Sequence, residues 1–187
     1  MSAKRYRVNE IFYSLQGEGF WTGTPMVFVR LSGCNLRCPF CDTDHSAFTE
    51  MSADEMVAAA LPFSARRICL TGGEPSLQAD DALIQAFHKA GFQVHIETNG
   101  THALPEGIDW VTLSPKSAIV LKKADELKLV FTEGARPDEW IDFPATWHFL
   151  QPCDLGGVAN IGPTIDYIKT HPAWRLSLQT HKLLNIR

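Results

Sequence analysis

The chain has 187 residues, 45% of them hydrophobic, and a net charge of −4. That apolar share excludes a disordered chain, and the acidic balance leaves no electrostatic footprint for nucleic acid or an anionic membrane. The length is that of one domain, 1–187, with enough apolar mass for a substantial core.

The first residues, Met1-Ser2-Ala3-Lys4-Arg5-Tyr6-Arg7, are basic, but no apolar h-region follows, so they do not read as a secretory signal. No apolar run approaches the length of a bilayer span. Five cysteines without a signal read as reduced thiols, and the expected compartment is cytoplasmic. Residues 7–15 carry the aromatic and β-branched content of a first strand, broken by Gln16-Gly17-Glu18-Gly19. Residues 26–31 form a short apolar run that reads as a buried strand. Ser52-Ala53-Asp54-Glu55 has capping-box spacing and predicts a helix to Leu61, before Pro62. Further strands are predicted over 67–71, 92–97, 110–113, 126–131 and 147–150, with a possible last strand over 176–179. Helices are predicted over 80–90, where Leu83, Ile84 and Phe87 share a face, and over 164–169. Strands alternating with helices or crossovers imply a parallel α/β sheet. Some connections, such as 99–109, are too short for a helix, which points to a partial, open and thinned barrel.

Between the second strand and the first helix lies Gly33-Cys34-Asn35-Leu36-Arg37-Cys38-Pro39-Phe40-Cys41-Asp42-Thr43-Asp44. Three cysteines at C-x3-C-x2-C can aim three thiolates at one point, which suits zinc or an iron–sulfur cluster. A closed zinc site needs a fourth ligand, and no partner C-x2-C follows. The simplest reading is a site with one position open, as in a four-iron cluster with one iron free. Cys69, in Ile68-Cys69-Leu70, reads instead as a small buried hydrophobe. Polar motifs recur at the carboxyl ends of the expected strands, where parallel α/β folds bind ligands. They are Thr71-Gly72-Gly73-Glu74-Pro75, Glu97-Thr98-Asn99-Gly100, Ser114-Pro115-Lys116 and Gln151-Pro152-Cys153-Asp154. Each alone is a turn signal; together with the cysteine loop they point to one shared site.

The cysteine triad followed by Gly-Gly-Glu after the next strand resembles the radical S-adenosylmethionine (SAM) enzymes. Leu15-Gln16-Gly17-Glu18-Gly19, Cys41-Asp42-Thr43-Asp44, Ser114-Pro115-Lys116 and the tail Gln179-Thr180-His181-Lys182 narrow the resemblance to the 7-carboxy-7-deazaguanine synthases. The resemblance covers essentially the whole chain. It implies a lyase of queuosine and 7-deazapurine biosynthesis. Such an enzyme contracts the ring of 6-carboxy-5,6,7,8-tetrahydropterin to 7-carboxy-7-deazaguanine with loss of ammonia. A 5′-deoxyadenosyl radical would take hydrogen from substrate C6 and return it later.

The resemblance also implies site residues. Cys34, Cys38 and Cys41 would hold a [4Fe-4S] cluster, and Thr43 would hold Mg2+. Phe40, Cys41, Asp42, Gly73, Ser114, Pro115, Lys116, Gln151, Pro152, Cys153 and Asp154 would line SAM, with Glu74 as an acceptor for its ammonium. Leu15, Gln16, Gly17, Arg30, Thr71 and Arg187 would contact the pterin, the last through a terminal carboxylate. Related chains often end in proline there. Arg30 is suited to grip a substrate carboxylate through two hydrogen bonds. His45 and His181 are polar contacts or structural histidines. A flavodoxin or ferredoxin is the expected reductant, and a homodimer the expected assembly. Two alternatives stand beside this reading: a glycyl-radical-enzyme activase and a zinc-binding interaction module.

Overall fold

The computed structural model describes residues 4–44 and 46–187, so His45 and its expected polar role lie outside the described residues. Strand β1 (Tyr6–Leu15) pairs antiparallel with β2 (Pro25–Leu31), with a bulge between Val8 and Glu10. The short β3 (Thr49–Met51) adds antiparallel to the start of β1. Helix α1 (Ala53–Ala60), β4 (Arg67–Gly72), α2 (Asp81–Lys89) and β5 (Gln93–Thr98) come next in the chain. They are succeeded by β6 (Trp110–Leu113), β7 (Ala124–Phe131) and β8 (Ala145–Pro152). A small separate hairpin, β9 (Asp154–Leu155) and β10 (Val158–Ala159), precedes α3 (Ile161–Thr170), β11 (Arg175–Leu176) and α4 (Thr180–Leu184).

Among the described residues nine strands form one sheet in the order β11-β8-β7-β6-β5-β4-β2-β1-β3. From β2 to β11 every neighbouring pair is parallel. Side chains alternate across such a sheet, and the alternation divides its two faces sharply. Val27, Val29, Leu31, Ile68, Leu70, Val94 and Ile96 point outward and are buried with Met56 of α1 and Leu83, Ile84 and Phe87 of α2. Each such side chain contributes roughly 1.5–3 kcal/mol through burial. The intervening residues face the concave interior, where the site lies.

Local rules account for the helices. Ser52 Oγ accepts from Glu55 N (3.2 Å) while Glu55 Oε2 accepts from Ser52 N (2.7 Å), closing the expected capping box. Asp80 Oδ1 accepts from Leu83 N (3.0 Å) to cap α2, and also from Tyr6 Oη (2.7 Å), which ties that helix to β1.

Several elements differ from expectation. Helix α3 begins at Ile161 rather than 164, because Thr164 Oγ1 bonds back to Asn160 O (2.9 Å) from inside the helix. The last strand runs only through Leu176. Beyond it Ser177 N donates to Leu150 O (2.9 Å) while Ser177 Oγ accepts from Gly19 N (2.9 Å), turning the chain across the barrel. The tail then forms α4, where no helix was expected. Strand β3 and the hairpin of β9 and β10 were also unexpected. No helix among the described residues is long and apolar enough to cross a membrane.

Candidate active site

The cysteine loop leaves the carboxyl end of β2 and is held by the ends of β4 and β5. A Cβ at Gly73 would lie 2.0 Å from Gly33 O, so the two loops approach as closely as backbone allows. This contact, rather than room for a ligand, is what requires glycine there. Glu74 N donates to the same Gly33 oxygen (2.8 Å). The Glu74 carboxylate is 1% exposed and takes three protein donors: Thr98 Oγ1 (2.7 Å), Asn99 N (2.7 Å) and Ser76 N (3.0 Å). It joins strand ends, and that occupation competes with the ammonium expected for it. Asn99 Nδ2 donates to Asn35 Oδ1 (3.0 Å), fastening the cysteine loop itself.

Cys34, Cys38 and Cys41 all line one cavity of about 460 Å³ at the carboxyl ends of the strands. Cys41 N donates to Cys38 O (3.1 Å), and Leu36 N donates to Cys34 Sγ (3.4 Å). Burial pushes the Cys38 thiol up, Lys116 pulls it down, and Cys41 and Cys34 push it up again. The sulfurs are therefore near enough to feel one another, the situation that a shared metal centre relieves by binding thiolates. Among the described residues no three His, Cys, Asp or Glu side chains converge as ligands of a single ion do. A cluster takes each thiolate on a different iron, and this donor set fits one.

The cavity floor is charged. Lys128 of β7 is 5% exposed, pairs with Glu18 and lies 3.9 Å from Glu97 Oε1. Burial opposes its charge, but Glu18, Glu97 and Glu126 more than compensate, so Lys128 stays protonated. Glu97 in turn accepts from Gln16 Nε2 (3.0 Å) and Thr71 Oγ1 (3.0 Å), setting the direction of both side chains. Glu126, one inward position before Lys128, is pushed up to about 7 by burial, with Lys128 opposing. Its Oε2 accepts from Phe20 N (2.9 Å) and anchors the loop that carries Gln16.

The tail closes the other side. Thr180 N donates to Gly17 O (2.9 Å), and Gln179 Nε2 donates to Glu18 Oε1 (2.9 Å). Lys182 bridges Asp42 Oδ2 (2.7 Å) and Asp154 Oδ2 (3.1 Å), linking the cysteine loop to the loop after β8. Burial pushes the Asp42 carboxyl up, and Lys182 with Gln179 outweighs it, holding Asp42 below the usual carboxylate range. Arg187 ends beside β1. It pairs with Glu10, its carbonyl accepts from Ser14 Oγ, and its guanidinium lies 5.0 Å from the Phe12 ring. Arg30 shares Glu10, with Nε 2.9 Å from Oε1, and donates through Nη1 to Thr43 Oγ1 (3.3 Å).

Of the described residues expected in the site, Pro115 and Cys153 alone do not line this cavity; all the others do. Pro115 lines a neighbouring groove. Cys153 is 6% exposed, and its backbone N–H and C=O are both taken by Asn160, at 2.7 and 3.3 Å. His181 lines the cavity and packs against Gly17, where a Cβ would meet its ring at 2.2 Å. Sequence reasoning gave no individual role to Glu18, Glu97, Lys128, Gln179 or Lys182. Glu97 stood in a strand-end motif and Glu18, Gln179 and Lys182 in the motifs that carry the resemblance, whereas Lys128 had no such signal.

The comparisons agree with this geometry. Residues 28–125 match the Radical SAM superfamily. The 7-carboxy-7-deazaguanine synthase of Bacteroides thetaiotaomicron is 55% identical over 183 residues, covering 97% of this chain and 98% of that one. The synthase of Bradyrhizobium diazoefficiens is 44% identical over 209 residues, covering 97% and 99%. The crystal structure of QueE from Escherichia coli matches with a TM-score of 0.75 at 29% identity, over 93% of each chain. Its agreement extends to the open, largely parallel α/β architecture expected from the sequence. Membership of a radical SAM family implies a [4Fe-4S] cluster and SAM as its working groups. The chain belongs to the 7-carboxy-7-deazaguanine synthase family of radical SAM enzymes.

Proposed function

We propose that this chain, as one radical SAM core domain over 1–187, converts 6-carboxy-5,6,7,8-tetrahydropterin to 7-carboxy-7-deazaguanine and ammonia. The observation that carries the reading is one cavity shared by three cysteines, a buried charged floor and the docked tail. When bound, the cluster and SAM supply a 5′-deoxyadenosyl radical that takes hydrogen from substrate C6 and returns it. The protein's own work is to bind, orient and exclude water.

Cys34, Cys38 and Cys41 hold the cluster. The segments at Phe40–Asp42, Gly73, 114–116 and 151–154 would take SAM, and Lys182 draws Asp42 and Asp154 of those segments together. Leu15, Gln16, Gly17, Arg30, Thr71 and Arg187 receive the pterin. Glu97 aims Gln16 and Thr71 before the substrate arrives, and the Glu18 and Glu97 carboxylates offer acceptors for the amino and ring N–H groups of a pterin. Mg2+ binds at Thr43 only once the substrate is present. Arg30, whose Nη1 donates to Thr43 Oγ1 (3.3 Å), would contact the substrate carboxylate beside that position. A homodimer and a flavodoxin- or ferredoxin-type reductant complete the reading.

Anaerobic reconstitution followed by turnover with the tetrahydropterin, SAM and a reductant tests it. Expected are iron and sulfide near four per chain, a deazaguanine product, and loss of both cluster and activity when Cys34, Cys38 or Cys41 is replaced singly by Ala. A colourless zinc protein with no response to SAM would overturn the reading.

A further inference from the structure

The loop that brings Gln16, Gly17 and Glu18 to the cavity is also gripped outside it. Phe20 does not line the cavity; its ring stacks between Trp110 of β6, at 5.1 Å and 24°, and Trp147 of β8, at 5.0 Å and 27°. These two strands flank β7, whose Glu126 accepts from Phe20 N (2.9 Å). Trp21 meets the Phe20 ring edge-on at 5.3 Å and reaches Trp110 at 5.4 Å and His95 at 5.1 Å. The Arg175 guanidinium lies 4.0 Å from the Trp147 ring and that of Arg67 4.7 Å from the Trp21 ring, so a cation covers each of these indoles. Phe20 is nevertheless 41% exposed, so it is held by ring contacts rather than enclosed in the core. Between Glu18, which turns to Lys128, and Phe20, which turns to the tryptophans, Gly19 takes φ +64°. Gln16 is tied to the far stem of the same loop, with its N–H on Thr24 O (2.8 Å) and its carbonyl on Gly23 N (2.8 Å).

We propose that Phe20 is a positioning residue: clasped between Trp110 and Trp147, it fixes residues 16–18 in the form that receives the pterin. The inference rests on the assignment of that segment to the substrate above. Gly17, Gly19 and Gly23 leave this loop little stiffness of its own, so its shape is set by what holds it. The contacts of Glu18 with Lys128 and of Gln16 with Glu97 lie inside the cavity and are open to exchange when a ligand enters. The aromatic clasp lies outside the cavity and persists in either state. A segment ordered beforehand spares the substrate the cost of ordering it. Loss of the clasp therefore falls on pterin binding, and not on the cluster or SAM, whose residues stand on other loops.

The test uses reconstituted holoenzyme, native and with Phe20→Ala, Phe20→Leu, Phe20→Tyr or Trp147→Leu. Turnover gives the pterin KM and kcat, calorimetry the SAM affinity, iron analysis the cluster, and amide hydrogen exchange without pterin the order of residues 16–18. Phe20→Ala should raise the pterin KM about tenfold with kcat within about threefold of native, the split expected when binding alone is loosened. Exchange at 16–18 should quicken by about tenfold or more while the cysteine loop keeps its native protection. Phe20→Tyr keeps the ring and should restore the native KM to within about twofold, whereas Phe20→Leu keeps only apolar bulk and should fall between. Trp147→Leu should show the same split and add little to Phe20→Ala, because both remove one clasp. A KM for Phe20→Ala within about twofold of native would overturn the proposal, as would an equal loss of SAM affinity and iron, the mark of a general fold defect. Should Phe20→Ala fail to fold, native KM values in both Phe20→Leu and Trp147→Leu would overturn it. A native protein that leaves the pterin unconverted would instead bring down the substrate reading; unchanged exchange at 16–18 in the variants would bring down the clasp itself.

Discussion

The concave side of the sheet has two different interiors. Beneath β1, β2 and β4 it is filled by Phe12, Met26, Phe28 and Cys69, with the two phenylalanine rings stacked at 5.0 Å. Beneath β5 and β7 the equivalent inward positions hold Glu97, Glu126 and Lys128, joined by Glu18 from the loop after β1. The backbone is the same kind of parallel ladder in both places. An apolar interior would cost less on the second side, because desolvating ions consumes most of what their pairing returns. The charged half is therefore the half arranged for something other than stability, and it is the half that orients Gln16 and Thr71.

Breaking the charged half should be the most damaging change. Lys128→Met leaves Glu18 and Glu97 facing one another in a buried site, and should cost about 3–5 kcal/mol in urea unfolding. A loss under about 1 kcal/mol would erase the distinction between the two interiors.

Glu126→Gln sharpens the comparison through pH. Burial raises the Glu126 carboxyl from an ordinary 4.5 to about 7 in the folded chain. Its contribution to stability is full below the unfolded carboxylate range and is lost as pH rises through about 7, because the folded state binds more protons in that window. The glutamine variant keeps an acceptor for Phe20 N without titrating. Its stability relative to the native chain should rise by up to about 3 kcal/mol between acidic and mildly alkaline pH. Parallel pH curves would show that Glu126 does not titrate there.

Lys182→Met removes the bridge over the cavity while leaving both interiors intact. Cluster content should stay normal and SAM affinity should fall about tenfold, or about 1.4 kcal/mol, by calorimetry on the reconstituted protein. Unchanged affinity would make the bridge a surface pair only. The smallest effect belongs to the apolar half. Cys69→Ala should cost about 1 kcal/mol and leave iron content untouched, since Cys69 only packs there. A loss of iron in that variant would make Cys69 more than filler.

The contrast also explains why some elements are legible in the sequence and others are not. The outward faces of β2, β4 and β5 are legible because Val, Ile and Leu recur at alternate positions in apolar runs, and the box at Ser52 announces α1. The cysteine loop and the strand-end motifs are legible because turn residues and thiols cluster there. Strand β7 is legible as a strand, but the burial of its charged face is not. Glu126-Leu127-Lys128-Leu129 alternates as a strand with one wet face does, yet both of its faces are buried. The loop from β1 folding over it, with Glu18 pairing to Lys128, makes that burial tolerable, and this contact spans 110 residues. Helix α4 was hidden for a similar reason. Thr180 to Leu184 has exposed leucines and no side-chain cap, and its position is fixed by hydrogen bonds to Gly17 and Glu18. Its role could not be read from local pattern.

The order of the strands has a further consequence, for solubility. A wide sheet ending in long bare strands is a template on which other chains add and aggregate. Here the two outermost strands are the three-residue β3 and the two-residue β11. Where β3 stops short of covering β1, that strand is bent by its bulge between Val8 and Glu10. The outermost strand at each margin therefore offers a newcomer only two or three residues of aligned backbone. The broad ladder that carries the cysteine loop and the charged floor is kept with outermost strands too short to seed a fibril.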